Sequence, residues 1–280
     1  MVAGFPRSLS LPGTLAGKPR SSEKSRHVRS TSLPSPSNPL ISHLGDEIQA
    51  LRASLSHPHS STSISSTLSL LDHLLSSLHD LLLLPQSQDS IRRPRSASWT
   101  DHLLDDSLRL ADAFGSFRSE IITLRDHQSA AQTAIRRRDE PRLASSLRSV
   151  KKTEKDLVRL ASTIRETTRS AADLADAELA GVVRDAMLVV ASASESVLLG
   201  VSSVSSASSA VRSLWRLASM PAAPAAKKKE MEDEEWRRRE LERMERMEEW
   251  MAEMETKSEG VFKGLVNIRV SLLNMITPSL

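Results

Sequence analysis

The chain has 280 residues, a formal net charge of +3, no Cys, no Tyr, and only four Phe and four Trp. A core this poor in aromatic residues has to be built from Leu, Ile, Val, Ala and Met, the palette of helix bundles rather than sandwiches or barrels. Zero Cys excludes disulfides, thiolate metal sites and a cysteine nucleophile, and the near-balanced charge argues against a nucleic-acid partner.

Residues 1–38 are rich in Ser, Pro and Arg and poor in clustered apolar side chains. Such a segment buries too little apolar surface to offset the entropy of ordering, so the sequence predicts a disordered tail. No apolar run of a secretory signal is expected there, because Pro6 and Arg7 interrupt it early. Within the tail one phrase occurs twice, `RSLSLPG` at 7–13 and `RSTSLPS` at 29–35. Arg7 and Arg29 stand three residues before Ser10 and Ser32, and Pro12 and Pro34 stand two residues after them. An acidic kinase pocket can hold such an Arg while the Ser hydroxyl takes the phosphate, and the phosphoserine then offers an Arg-lined reader three acceptor oxygens. Ser10 and Ser32 are therefore candidate phosphosites, and Arg7, Pro12, Arg29 and Pro34 the candidate recognition residues of a phosphoserine-reading adaptor. Ser98, behind Arg95 but without the Pro, is a third. A rival reading of the same acid-poor tail is a mitochondrial or chloroplast transit peptide.

From Pro39 the pattern becomes helical, and a bundle is expected over 39–219. Leu40, Leu44, Ile48, Leu51 and Leu55 form one stripe, broken at Pro58. Ile64, Leu68, Leu71, Leu75, Leu78 and Leu82 form the next, with Pro85 as its stop and `QSQDSIRRPRSAS` as a polar linker. Ser98 is placed as the N-cap of a third helix from Trp99 to about Arg138, with Gly115 a weak point. Asp139 can cap a fourth, with Pro141 near its first turn and an apolar stripe through Leu143, Leu147, Val150, Leu157 and Ile164. Small residues dominate from about Ala171 to Leu217, which suits an enclosed helix packed closely against its neighbours. Residues 186–207 approach membrane-span length, yet Glu195 and many Ser favour burial in a bundle.

A Pro-rich linker is expected at 220–226, then a charged helix over 227–257 and an amphipathic helix over 258–280 that packs on the bundle. The charged segment carries Glu235–Arg239 and Glu242–Arg246 at helical spacing. Met244, Met247, Met251 and Met254 step by three, four and three, a coiled-coil pattern that makes them candidate self-association or partner contacts; a solvated single helix is the competing reading.

Catalytic signals are missing from the sequence: it has no Gly-rich phosphate loop, no HExxH and no GxSxG. His57 and His59 flank a Pro, and Asp101, His102, Asp105 and Asp106 sit together at a helix start, where capping and dipole complementarity explain acids without a metal. No enzyme, cofactor, catalytic residue or metal site is expected.

Three stretches resemble the BYPASS-related family of plant proteins: `HVRSTSLPSPSNPL`, `SASWTDHLLDDSLRLADAFGSFRSEIITLRDHQSAAQTAIRRRD` and `VFKGLVNIRVSLLNMI`. They spread from about Arg29 to Ile276. The resemblance implies a plant protein with a link to root and shoot development, and it carries over no catalytic residue. Two departures stand out: Pro36-Ser37-Asn38 replaces a basic continuation, and Ala111 with Phe114 replaces a Leu and Cys. The expectation is an elongated, all-α, antiparallel helix bundle with a free tail. Its expected role is that of a non-catalytic cytoplasmic scaffold with protein partners, switched by phosphorylation of the tail. The alternative is a peripheral membrane or organelle-targeted helical protein.

Overall fold

The computed structural model describes residues 39–56, 60–92, 97–170, 178–207 and 226–277. Seven helices occur among them, and no strand: α1 (Pro39–Ser54), α2 (Ser61–Leu83), α3 (Pro85–Ile91), α4 (Ala97–Arg137), α5 (Glu140–Ser170), α6 (Glu178–Ala207) and α7 (Ala226–Ile276). The fold is all-α. At about 1.5 Å per residue, α4 and α7 are roughly 60 and 75 Å long.

The apolar stripes read from the sequence face inward. Leu44, Ile48 and Leu51 of α1 meet α2 and α6, while Ile64, Leu68, Leu71, Leu75, Leu78 and Leu82 line the buried side of α2. Phe114 and Phe117 of α4, fully buried, stack edge to face with centroids 6.0 Å apart. Around this main core α7 lies between α2 and α4, α5 against α4, and α6 against α5 and α2. A second, smaller apolar cluster joins Ala131, Ala134 and Ile135 of α4 to Leu143 and Leu147 of α5 and Met244 of α7. Here α4, α5 and α7 continue as a three-helix stem.

Helix directions follow from polar pairs. Along the α4–α7 seam residue numbers rise on one helix as they fall on the other: Arg118 meets Glu259 at 3.3 Å, Arg125 meets Glu255 at 2.8 Å, and Arg136 meets Glu245 at 3.2 Å. These helices are antiparallel. α2 and α7 run parallel, with Trp250 Nε1 donating to the Ser61 carbonyl at 3.1 Å near one end and Ser271 bonded to His79 at 3.2 Å near the other. Close approach of α2 is possible because α7 presents Gly260 and Gly264. A Cβ on Gly260 would lie 3.0 Å from Asp72 Oδ1, and one on Gly264 would lie 3.1 Å from Leu75 Cβ.

Local chemistry sets the helix starts. Ser60 Oγ accepts from the Ser63 amide at 3.1 Å and caps α2; Asp139 Oδ1 accepts from the Arg142 amide at 3.0 Å and caps α5. Gly115 does not interrupt α4.

Three boundaries differ from the sequence expectation. Part of the expected linker after Pro85 is helix α3, because Pro at a first helical position loses nothing and Ile91 finds a buried seat. Ser98 lies inside the first turn of α4, not ahead of it as its cap. The charged and amphipathic segments expected over 227–257 and 258–280 form one uninterrupted helix, α7. No Pro falls within it, and its two glycines sit against α2, where packing offsets their low helix propensity.

α6 spans the apolar window Leu179–Ser206, long and apolar enough to cross a membrane, with a mean hydropathy of 1.7. Most of that window is buried inside the bundle, where Arg165 of α5 pairs with Glu195 and Ser202 Oγ donates to the Glu154 carbonyl at 3.1 Å.

Candidate functional site

The stem ends where α4 turns into α5. Asp139 N–H donates to the Ala134 carbonyl at 2.9 Å and Arg138 N–H to the Ile135 carbonyl at 3.2 Å. Those two bonds make a Schellman stop, whose reversing residue must adopt a left-handed backbone and is usually Gly. Here it is Arg138, at φ 56°, the one non-glycine residue with positive φ among those described. A side chain in that conformation costs about 1 kcal/mol.

Arg138 borders a groove of about 470 Å³ between the end of α4 and α7. Its apolar base is Ile135 and Leu241; its walls are Arg136, Arg138, Arg237, Arg238, Glu234, Glu242 and Glu245. Arg136 pairs with Glu245 at 3.2 Å, while Glu234 receives both Arg138, at 3.4 Å, and Arg237. Arg238 and Glu242 form no ion pair among the described residues. The Arg136–Glu245 and Arg138–Glu234 pairs are more than half exposed, so each is worth no more than about 1 kcal/mol and exchanges readily with an incoming charge. Guanidinium forks match carboxylates and phosphates in two-point contacts, and Glu234 already occupies the position between two of them that an incoming anion would take.

Just inside the stem Glu240 is buried. Burial pushes its carboxyl above the ordinary glutamate range, against the pull of its partner Arg243. On the α2 side of α7, hydrogen bonds from Ser65 and Lys257 hold the Glu253 carboxyl below that range. A second open groove, also about 470 Å³, lies between α4 and α5 and is lined by Arg109, Asp112, Ala113, Ser116, Leu160, Thr163 and Ile164. Burial raises the carboxyl of nearby Asp106, against Arg109 and His102. Asp101, His102 and Asp105 are exposed. No group of three or more His, Asp or Glu able to hold a metal occurs among the described residues.

Of the residues singled out in the sequence, Ser10, Ser32, Arg7, Pro12, Arg29, Pro34, His57 and His59 lie outside the described residues, as does the side chain of Ser98. The four methionines are committed to the chain's own bundle. Met251 and Met254 are fully buried, Met244 belongs to the stem cluster, and Met247 packs on the main core. Met244 packs among residues of α4 and α5, and the other three pack in or against the main core. Of the two within-helix ion pairs, Glu235–Arg239 forms and Glu242–Arg246 does not come within ion-pair distance.

Sequence reasoning missed the inter-helix pairing. Its signal was Arg118, Arg125 and Gln132 at seven-residue intervals on α4, facing Glu259, Glu255 and Glu248. It also missed the Gly260–Gly264 spacing and the role of the arginines at 136–138.

A comparison with family models finds one described as Protein BPS1 matching residues 67–275, from within α2 to the penultimate residue of α7. No curated protein and no solved structure matches the chain.

Proposed function

The chain belongs to the BPS1 family, the BYPASS-related proteins of plants, and on that premise we propose that it is a non-catalytic interaction scaffold in plant development. Its partners are proteins, and the surface that receives them is the Arg- and Glu-walled groove at the stem tip. The observation that carries this reading is Arg138. A left-handed non-glycine residue at a position where Gly would be free of strain points to a use for its side chain, and that side chain stands at the groove. The groove is open and mixed in charge, which suits the acidic and basic side chains of another protein. In this reading phosphorylation of Ser10 and Ser32 in the tail switches a second, adaptor-binding function, and the protein works in the cytoplasm.

Proximity labelling in root tissue tests it, comparing wild type with Arg138→Gly and with Ser10→Ala/Ser32→Ala. Arg138→Gly relieves the backbone but removes the whole side chain with its Glu234 pair and loosens the unfolded chain, so the fold should stay within about 1 kcal/mol of wild type while groove partners are lost. The serine variant should lose a different, adaptor-type set. Identical neighbours for all three proteins would refute the scaffold reading.

A further inference from the structure

Away from the groove, the solvent face of α5 carries a row of exposed cations. Arg148, Lys151, Lys152 and Lys155 are exposed along two turns, and none forms an ion pair among the described residues. This is unlike the α4–α7 seam, where cation after cation is matched to a glutamate. The acids around the row do not neutralise it. Glu154, between Lys152 and Lys155 in sequence, is buried and forms no ion pair among the described residues; Asp156 is paired with Arg159, and on α6, packed alongside, the described acids Asp185 and Glu195 are taken by Arg52 and Arg165. Glu120 of α4 is near enough for Lys152 and Asp156 to act on its charge, but it pairs with neither.

The kind of cation separates the two surfaces further. Where the chain fixes a partner between helices along the α4–α7 seam it uses Arg, whose planar fork reads a particular carboxylate. Three of the four free cations on α5 are Lys, flexible point charges suited to a diffuse field of negative charge. Val158 is exposed among them, an apolar contact inside a basic row. Beside it lies α6, apolar and incompletely covered, whose exposed positions include Ser192, Ser203 and Ser206, and whose half-exposed Asp185 is paired with Arg52.

We propose that this face of α5 docks on an anionic membrane surface, with Arg148, Lys151, Lys152 and Lys155 against lipid headgroups and Val158 against the interface. The occupant is a lipid bilayer rather than an acidic protein, because nothing along the row fixes a point-to-point match and every feature suits a continuous sheet of charge. This goes beyond the scaffold reading and does not depend on it: the α5 face and the stem groove use different residues.

The test is co-sedimentation of the full chain with phosphatidylcholine vesicles, with and without about 30% phosphatidylserine. The expected result is binding only to the serine-lipid vesicles, weakening steeply as salt rises past about 0.1 M. Lys151→Glu/Lys152→Glu/Lys155→Glu should lower that binding by about tenfold or more. Arg239→Glu/Arg246→Glu/Lys263→Glu, the same charge change on α7, should lower it much less. Circular dichroism checks that both fold, and Lys151→Gln/Lys152→Gln/Lys155→Gln gives the same reading should the reversal unfold the chain. Equal losses in the two triple variants, undiminished binding by the α5 variants, or no preference of wild type for anionic vesicles would each overturn the proposal. So would capture of a polyglutamate peptide by wild type in place of vesicles, which would make the partner an acidic protein.

Discussion

Arg125 of α4 and Glu255 of α7 meet at 2.8 Å across an antiparallel seam, each about one-third exposed or less. Two turns away along α4, Arg118 reaches Glu259; in the other direction Gln132 reaches Glu248 at 3.4 Å and Arg136 reaches Glu245. Seven residues are nearly two helical turns, so Arg118, Arg125 and Gln132 stay on one face of α4 and form a ladder down the length of the seam. The glutamates of α7, which read in sequence as a solvated run, are in good part the rungs of that ladder.

A double-mutant cycle measures the rung. Arg125→Ala and Glu255→Ala should each destabilise the fold modestly, with a coupling of about 0.5–1 kcal/mol that shrinks in high salt. Urea unfolding of the four proteins gives the number, and a zero coupling at low salt would show that the seam is held by its apolar side alone.

A Cβ on Gly264 would lie 3.1 Å from Leu75 Cβ, tight for a methyl group and too close for a longer side chain. Gly264→Leu should therefore force α2 and α7 apart and cost about 1–3 kcal/mol. Because Ala improves helix propensity by about 1 kcal/mol while meeting Leu75 with its single methyl group, Gly264→Ala should fall well short of that loss. A thermal-melting series through Gly, Ala and Leu separates the steric effect from the propensity.

Met251 is fully buried within one chain. Met251→Ala should cost about 2–5 kcal/mol of unfolding free energy and leave the oligomeric state in sizing experiments unchanged. A shift in oligomeric state without loss of stability would return the methionine stripe to the role of a self-association seam.

Glu240 supplies a pH test. Its folded carboxyl is raised by burial, so the folded state holds its proton more tightly than the unfolded chain. The contribution is fully present below the ordinary glutamate range and is lost as pH rises through the raised folded value. Glu240→Gln cannot lose it. Relative to the variant, wild type should become less stable as pH climbs from acid toward neutral, and urea midpoints of both proteins across that range check the sign. A gap that stayed constant with pH would mean that Arg243 fully compensates the burial.

Much of the fold was legible because burial writes a period into a helix. The leucines of α2, the stripe of α5 and the cap at Asp139 need no partner to be read, since each follows from local spacing or local hydrogen bonding. The strain at Arg138 was not legible. The sequence shows three arginines and then Asp139, and only the closing of the Schellman bonds reveals that the third must turn left-handed. Nor was the fate of the methionines, because a three-four spacing shows that a face is apolar and not which helix covers it.

The sequence by itself determined that this chain is helical, where most of its helices begin, and which faces avoid water, since those properties arise within a few turns of one segment. Tertiary structure alone decided which charges are matched and which are left over. Arginine on α4 and lysine on α5 have equal claims to an acid when read along the chain. The antiparallel seam brings glutamates to the first and leaves solvent over the second, because ion pairing depends on distances across space that helical period does not encode.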